Sequence, residues 1–407
     1  MALVLTGESA PRRTRQDAPI ARPPFAFLDI REDVRPVWLS ADWRPRVPLP
    51  PIAPRVLPSH NVLVWGELPN GKRLPLLRRG ESGIDAAYPW ADWREHILLE
   101  RYATWRRRPF YTKLPFSYHR VPAGLRQRLA GRFFSARGEE LPSFPTDTGF
   151  ELLRCLKPDD TFRLAKQALS NEPRVVLTHD IDSQEAFDWV WPLAEVELAH
   201  GVRSSWNVVA GEYTLDEKTL DRLAENGFEI GLHDYLHDNK LIYLDETAMR
   251  RRLDRCRPFI ERYGVRGFRS PSWFRGEMLY NVLQDYVDYD CSSLDFDGLC
   301  PAGPGGVLTT RPFHIGRLVE IPTTLPLEAP LLNGVSPELI PAYWEPKIEW
   351  LKQADGLAVV NSHPDPVYSG NKTMVRVYAR FLARLLDVFA GRWSLPRDLS
   401  REVSDSA

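Results

Sequence analysis

Acidic and histidine side chains follow two apolar stretches of the chain, and they are of the types that bind a divalent metal. One β-branched, apolar run leads into Asp180 and Asp182, and a later one leads into His233 and His237. Short runs of this kind are typical of buried strands in a parallel sheet. Because such strands end at one common edge, where α/β folds keep their chemistry, we expect the four side chains to converge.

Two histidines and one carboxylate can hold a divalent ion and leave coordination positions open for water and a substrate oxygen. His233 and His237 are four residues apart, so on a helical turn both rings would face the same way. Asp182 supplies the third, anionic ligand. We expect Zn²⁺, or a similar divalent ion such as Co²⁺ or Ni²⁺, which would lower the pKa of a bound water to about 7.

Three other residues at predicted strand ends have roles in the same chemistry. Asp180 shares a strand face with Asp182 and can take a proton from the water. Arg269 can hold Asp180 ionised through a charge-assisted pair, and His363 can protonate a leaving amine. Each residue alone has an ordinary structural explanation, so it is their joint occurrence that indicates a catalytic site.

The elements that must position these residues alternate between strand and helix from Arg174 onward, which is typical of a parallel sheet with crossover helices. Six or seven such units fit a barrel or distorted barrel better than a flat sheet. The predicted strands are 174–182, 204–209, 228–233, 267–271, 287–293, 318–325 and 357–362, and the predicted helices are 185–200, 216–226, 246–263, 276–285 and 372–390.

The order of these motifs resembles the polysaccharide deacetylase family, metal-dependent deacetylases of N- or O-acetylated sugars. The resemblance covers about Arg174 to Ala390, roughly the last half of the chain. It implies a distorted (β/α)7-type barrel. The stretches that carry it are Thr178-His179-Asp180-Ile181-Asp182, His233-Asp234-Tyr235-Leu236-His237, Arg269-Ser270-Pro271, Val319-Glu320-Ile321-Pro322 and Val360-Asn361-Ser362-His363.

The resemblance also implies a role for each matching residue. Asp180 would be the catalytic base, Arg269 would orient it, and His363 would be the general acid. The implied metal ligands are Asp182, His233 and His237.

The third motif also implies residues that contact the substrate. The family pattern implies that the backbone N–H of Ser272 helps to hold the oxyanion. We place the neighbouring Pro271 and Trp273 at the substrate as well.

The sequence departs from the family pattern in two places. Many members have two adjacent aspartates in the first motif. This chain has D-x-D, as does a branch of the family that resembles peptidoglycan deacetylases. The fourth motif, which usually tunes the acid histidine, is replaced by a stretch in which Asp290, Asp295 and Asp297 are all candidates.

Composition excludes other classes of function. The 407 residues carry a net charge of -1, so no field of one sign attracts nucleic acid or an anionic membrane. No apolar run approaches the roughly 18 residues that cross a bilayer. The N-terminus does not have the order of a secretory signal, and the four cysteines lack the spacing of a metal knuckle or disulfide framework. We therefore expect a cytoplasmic protein with no nucleic-acid partner and no membrane span.

The N-terminal part carries no motif that indicates a function. It begins with many prolines and arginines, and Pro69-Asn70-Gly71 predicts a hairpin turn between two strands. Helices are predicted at 90–108 and 123–132. The predicted organisation is an N-terminal Pro/Arg-rich extension of mixed α+β character (1–170), a catalytic barrel (171–395) and a flexible tail (396–407).

Three functions remain open at this stage. The first is a deacetylase that releases acetate from an acetylated sugar or polysaccharide. The second is a related metal-dependent hydrolase of a non-sugar amide, such as a cyclic amide or ureide, which product analysis would separate. The third is a catalytically silent carbohydrate-binding protein, which would take up no stoichiometric metal.

Overall fold

The computed structural model describes most of the C-terminal part of the chain and shorter stretches of the N-terminal part. The predicted helix at 123–132 and the candidate Asp297 lie outside the described residues. The described residues are 25–34, 46–81, 83–101, 110–113, 173–295, 306–332 and 334–405.

The described residues of the N-terminal part include an antiparallel sheet. Its strands are β1 (Phe25–Ile30), β2 (Arg46–Pro48), β3 (Val62–Glu67), β4 (Arg73–Arg79) and β5 (Ile84–Ala86), in the order β2-β1-β3-β4-β5. The predicted hairpin is confirmed, because β3 and β4 pair across a turn in which Gly71 has φ 78° and Asn70 Oδ1 accepts from the Lys72 N–H. Helix α1 (Trp90–Leu98) ends earlier than predicted, since the backbone of Glu100 is left-handed.

A second, larger sheet carries the residues of interest. Its strands are β6 (Val175–Ile181), β7 (Ser205–Val208), β8 (Glu229–Leu232), β9 (Gly267–Phe268), β10 (Tyr289–Asp290), β11 (Phe313–Ile315), β12 (Leu318–Glu320), β13 (Leu325–Pro326) and β14 (Ala358–Ser362). They lie in the order β11-β12-β10-β9-β8-β7-β6-β14-β13. Every pair is parallel except β11 with β12, so the carboxyl ends of the central strands share one edge.

The helices of this part are α2 (Phe187–Ala199), α3 (Glu217–Glu225), α4 (Glu246–Asp254), α5 (Arg257–Tyr263), α6 (Glu277–Leu283), α7 (Ala329–Leu332), α8 (Ile340–Gln353), α9 (Lys372–Val388) and α10 (Pro396–Asp405). Asp216, Asp245 and Asn371 begin α3, α4 and α9 as side-chain caps. The helix predicted at 246–263 is two helices, because Pro258 in the first turn of α5 has no N–H to continue α4. Helices α7 and α8 were not predicted.

Short 3-10 turns complete the described secondary structure, at Glu32–Val34, Phe110–Lys113, Leu241–Tyr243, Pro271–Trp273 and Pro337–Leu339. Among the helices of the described ranges, none has both the length and the apolar character to span a membrane.

The stretch from 318 to 327 joins the two ends of the larger sheet. The N–H of Ile321 donates to the carbonyl of Asp290 in β10, and the N–H of Thr324 donates to the carbonyl of Val359 in β14. The sheet therefore curls round on itself. The expected barrel is confirmed as a curled, mixed α/β sheet, and the count of seven units stays a prediction.

Alternate residues of β6 face opposite sides of the curled sheet, as the period of two requires. Val175 and Leu177 pack with the surrounding helices. Val176 belongs to a separate cluster inside the curl, and Thr178 and Asp180 continue along that same face. The interior of the barrel is thus apolar at its amino end and polar at its carboxyl end.

Helix α10 closes the amino end of the barrel. Its Leu399 and Val403, one helical turn apart, are 0% and 2% exposed and pack on Val176, Val319 and Val359. The prediction of a frayed tail after residue 396 is corrected here, because these two apolar side chains complete the interior cluster through residue 405.

Glu229, buried at this amino end, gives a pH test of the packing. Its carboxylate accepts from the Tyr289 hydroxyl at 2.8 Å and from the backbone N–H of Arg397, in the first turn of α10, at 3.2 Å. Burial raises the pKa of Glu229 from 4.5 to about 7. The protonated carboxyl is therefore the form that the folded state favours, and its contribution to the free energy of unfolding is fully present below pH 4.5. This contribution, about 3 kcal/mol, is lost as the pH rises to about 7.

We predict that Glu229→Gln will melt at a higher temperature than the wild type at pH 8 and at a similar temperature at pH 5. The amide keeps an acceptor for the Arg397 N–H and removes the buried charge. Thermal unfolding of both proteins across this range measures the effect. A wild-type advantage that grows with pH would contradict the prediction.

Candidate metal and catalytic site

Asp182, His233 and His237 come together at the carboxyl edge of the curled sheet. Asp182 follows β6 and the two histidines follow β8, two strands away. The Nε2 atom of His233 lies 3.2 Å from Asp182 Oδ1, and the Nε2 atom of His237 lies 3.4 Å from Asp182 Oδ2. Tetrahedral ligands of Zn²⁺ at about 2.0–2.2 Å would be about 3.4 Å apart. The spacing of the three side chains therefore suits a zinc-like ion.

The hydrogen bonds of His233 test whether a cation fits. Its Nδ1 donates to the backbone carbonyl of Arg269 at 2.8 Å, so in the neutral ring Nε2 is an unprotonated acceptor. That nitrogen nevertheless faces Asp182 Oδ1, a buried oxygen that accepts no hydrogen bond from the described residues. Two lone pairs in this arrangement repel each other unless a cation lies between them, so the donor set fits a divalent metal.

The segment between the two histidines is a loop, which corrects the expectation of a helical turn. Asp234 has φ 66°, in the left-handed region. Arg252 of α4 donates to both carboxylate oxygens of Asp234, at 2.9 and 2.6 Å, and pairs with Asp238 at 2.8 Å. The shape of the segment that carries His233 and His237 is therefore set by an arginine held between two aspartates, rather than by helical periodicity.

Asp180 is buried beside the metal ligands and is surrounded by donors. Its Oδ1 accepts from Asn207 Nδ2 at 2.8 Å, and its Oδ2 accepts from Asn361 Nδ2 at 3.1 Å. The Arg269 Nε atom lies 3.7 Å from Oδ1, and the His363 Nε2 atom lies 3.6 Å from Oδ2. Burial acts to raise the pKa of this carboxyl, but the charge of Arg269 is the largest effect that opposes it, and the pKa stays below its ordinary value.

The two asparagines were not identified from the sequence. Asn207 and Asn361 lie on β7 and β14, the strands on either side of β6, and both were inside predicted strands. A polar residue at an inward position of an otherwise apolar strand was the signal that would have found them.

Arg269 is fully buried and reaches the base from β9. Its Nη2 donates to Thr178 Oγ1 at 2.9 Å, and the Thr178 hydroxyl in turn donates to the carbonyl of Val360 at 2.7 Å. The guanidinium is therefore tied to the same strand that carries Asp180, which agrees with the predicted pairing of the two.

His363 faces Asp180 from β14, and its acidic partner on the other ring nitrogen is Glu328. The Glu328 Oε2 atom lies 3.3 Å from His363 Nδ1, while Oε1 accepts from the His363 N–H at 2.8 Å and from Ser369 Oγ. Burial alone would lower the pKa of His363, but the hydrogen bond and charge of Glu328, with Asp182 and Asp180, raise it to about 10. His363 is therefore held protonated, as a proton donor must be.

Of the acids proposed for the fourth motif, Asp290 and Asp295 have other partners than His363. Asp290 accepts from Ser292 Oγ at 2.6 Å and shares a hydrogen bond with Glu320, and burial raises the pKa of both carboxyls. Asp295 pairs with buried Lys347 at 2.8 Å. The acid beside His363 is instead Glu328, which lies outside the matched motifs and was not predicted.

Asp365 is a further acid that the sequence did not reveal. It accepts from the N–H of Asp182 at 3.4 Å and from the hydroxyl of Ser183, so it holds the start of the loop after β6. Burial, and then the charge of Asp182, raise the pKa of Asp365 to about 7. Its backbone bond fixes the position of the ligand aspartate.

The loop proposed to meet the substrate has a constrained backbone. Ser272 and Trp273 both have φ 53°, a left-handed conformation that is uncommon for residues other than glycine. Asn239 Nδ2 donates to Ser272 Oγ at 3.0 Å, and the Trp273 ring packs edge-on against His363 with centroids 6.2 Å apart. Pro271 is buried in front of them. The loop therefore adjoins the candidate proton donor.

Comparisons with known proteins give a distant structural likeness. No protein-family model and no curated protein matches the chain. A Mycobacterium smegmatis protein assigned as a polysaccharide deacetylase is 21% identical with a TM-score of 0.44, over 57% of this chain and 90% of that one. The Puue allantoinase is 14% identical with a TM-score of 0.44, over 57% and 91%. A CE4 family pseudoenzyme from Bacillus anthracis is 16% identical with a TM-score of 0.40, over 57% and 66%. These three differ in activity, so the likeness does not decide the function.

We predict that the purified chain binds about one Zn²⁺, removable by a chelator, and that His237→Ala lowers the affinity by more than about 100-fold. The imidazole supplies one of three ligand atoms, and nothing else in the cluster replaces it. Zinc titration by calorimetry measures both proteins. His200→Ala is the matched control, because this exposed histidine lies at the end of α2, where its ring bonds to the Val196 carbonyl, and it is not in the Asp182, His233 and His237 cluster. Equal affinities in the two variants would contradict the ligand assignment.

Proposed function

We propose that the chain is a metal-dependent deacetylase that removes the acetyl group from an N-acetylated sugar. The observation that carries this proposal is the position of Asp180, a buried and ionised carboxylate that lies beside three metal-ligand side chains and opposite His363. An acid, a base and a cation site around one small volume are what amide hydrolysis requires. The catalytic unit would be the barrel of residues 171–395 in a (β/α)7-type arrangement, with 1–170 as an accessory region.

Asp182, His233 and His237 would hold the metal. When bound, Zn²⁺ or a related divalent ion polarises the substrate carbonyl and makes a water acidic enough to lose its proton near neutral pH. The chain must keep the three donors unprotonated, and the carbonyl of Arg269 does this for Nε2 of His233 by accepting from Nδ1.

Asp180 accepts the proton of the attacking water. It is suited to this because Asn207, Asn361 and Arg269 favour its ionised form from three sides. The same donors fix its orientation, so that the carboxylate cannot rotate towards another partner during the reaction. The D-x-D spacing then places the base and the ligand Asp182 on the same side of β6.

His363 donates a proton to the departing amine. Its Nδ1 faces Glu328 while Nε2 faces Asp180 and the reaction volume, so the proton to be transferred is on Nε2. The backbone N–H of Ser272 would stabilise the oxyanion, and the edge of Trp273 would form one wall against which the acetyl group rests.

The sugar is inferred from the resemblance of the motifs, and its test is a product assay. Incubation with N-acetylglucosamine oligomers should release acetate in proportion to the new amines, and loss of metal should stop it. Ring opening of a cyclic ureide or amide without acetate release would instead support the related hydrolase of non-sugar amides.

We predict that Asp180→Asn keeps the affinity for zinc and lowers kcat by about 10²–10⁴-fold. The amide preserves the shape but cannot accept the proton. Acetate release and zinc titration are measured on the same preparation, so that a lost metal is not mistaken for a lost base. Near wild-type turnover of a zinc-loaded variant would show that another group is the base.

Replacement of Glu328 is expected to change the pH profile. Glu328→Gln removes the charge that raises the pKa of His363, so the alkaline limb of kcat should move to lower pH. Zinc affinity should be unchanged, since Glu328 is outside the ligand cluster. The comparison is a kcat profile from pH 6 to 11 for both proteins, and an unmoved alkaline limb would exclude Glu328 as the tuning acid.

A further inference from the structure

We propose that Glu100, in the N-terminal part of the chain, is a positioning residue for the loop 270–275, and that it acts through Arg275. The proposal rests on the deacetylase function proposed above, because this loop would hold the oxyanion and the acetyl group. It assigns to the accessory region a role that its sequence does not reveal.

The contact between the two parts is a buried, two-point ion pair. Arg275 Nε donates to Glu100 Oε2 at 2.5 Å, and Arg275 Nη2 donates to Glu100 Oε1 at 2.6 Å. The two side chains are 1% and 2% exposed. Glu100 Oε1 also accepts from the N–H of Gly306 at 2.5 Å. Two parallel hydrogen bonds fix the plane of the guanidinium as well as its position.

The remaining arm of that guanidinium reaches the loop itself. Arg275 Nη1 donates to the backbone carbonyl of Trp273 at 2.8 Å. Trp273 and the preceding Ser272 both have left-handed backbones, which are held only when the surroundings determine them. The ring of Trp273 contacts His363. A continuous path of contacts therefore leads from Glu100 to the candidate proton donor.

The backbone of Glu100 gives an independent reason to assign it a role. After α1, the N–H of Glu100 donates to the Ile97 carbonyl and the N–H of Arg101 donates to the His96 carbonyl. This is a Schellman ending, in which the left-handed position is usually glycine. Glu100 occupies it with φ 49°. The unfavourable backbone is explained if the carboxylate is needed at this place.

Stability alone is a weak explanation for such a pair. A buried ion pair loses much of its attraction to desolvation, and apolar residues of similar volume often stabilise a protein as well or better. What an arginine held by two carboxylate oxygens adds is a fixed direction for its third arm. Here that arm ends on the Trp273 carbonyl.

The ion pair made by Arg101, the residue after Glu100, provides a matched control. Arg101 pairs with Glu277 at 2.7 Å across the same junction, but these side chains are 44% and 38% exposed. In the described part of the chain, the ion pairs of Arg101 are with Glu95 and Glu277, and neither carboxylate belongs to the loop. Glu277→Gln removes the same chemical group from the same interface. Glu100→Gln and Glu277→Gln therefore differ in whether the lost carboxylate is connected to Trp273.

The experiment measures hydrogen exchange, zinc affinity and kcat on the full chain. In Glu100→Gln, the amides of Trp273 and Phe274 should exchange at least about tenfold faster. Its kcat should fall by roughly 10- to 100-fold with zinc affinity unchanged. Glu277→Gln should match the wild type in all three. The proposal would be overturned if these amides exchange at the wild-type rate in a folded Glu100→Gln variant. An equal loss of kcat in both variants would also overturn it.

A second variant guards against misfolding. If Glu100→Gln does not melt cooperatively, the double variant Glu100→Gln with Arg275→Gln removes both buried charges, and the same expectations apply to it. Failure of the proposed function gives a different result, namely a wild type that releases no acetate. In that case the exchange rates alone decide whether Glu100 holds the loop.

Discussion

The site depends on keeping an ionised carboxylate in the interior of a barrel. A buried carboxylate without partners would take up a proton, since desolvation disfavours its charge. Asp180 avoids this because Arg269 and the amide donors of Asn207 and Asn361 surround it. These donors come from the strands next to β6 and from β9, so the charge state of one side chain requires the curled sheet to be closed around it.

The same strand shows why the two ends of the barrel differ. Along the inward face of β6, Val176 is followed by Thr178 and then by Asp180. The valine packs in the apolar cluster that α10 closes, the threonine hydroxyl links Arg269 to β14, and the aspartate reaches the site. The apolar cluster lies next to these charged groups along the strand, and charges packed against apolar side chains interact through a medium of low effective dielectric constant.

Residue types and periodicity were sufficient to predict that Asp182, His233 and His237 lie together, since the strands before them end at one common edge. They did not predict what holds each group. Glu328 lies in no recognised motif, and its contact with His363 depends on how the chain turns after β13. The loop from His233 to His237 has helical spacing, but Arg252 and a left-handed Asp234 give it another shape. Such partners are distant in sequence, and only the fold brings them together.

Arg252 and Arg275 perform the same physical task for two different loops. Arg252 binds the carboxylates of Asp234 and Asp238, and Arg275 binds Glu100 and the carbonyl of Trp273. Each holds a loop whose backbone is left-handed at residues other than glycine. Strain of this kind persists only where the surrounding structure over-determines it. Because Arg275 takes its carboxylate from the N-terminal part of the chain, that part belongs to the structural support of the site.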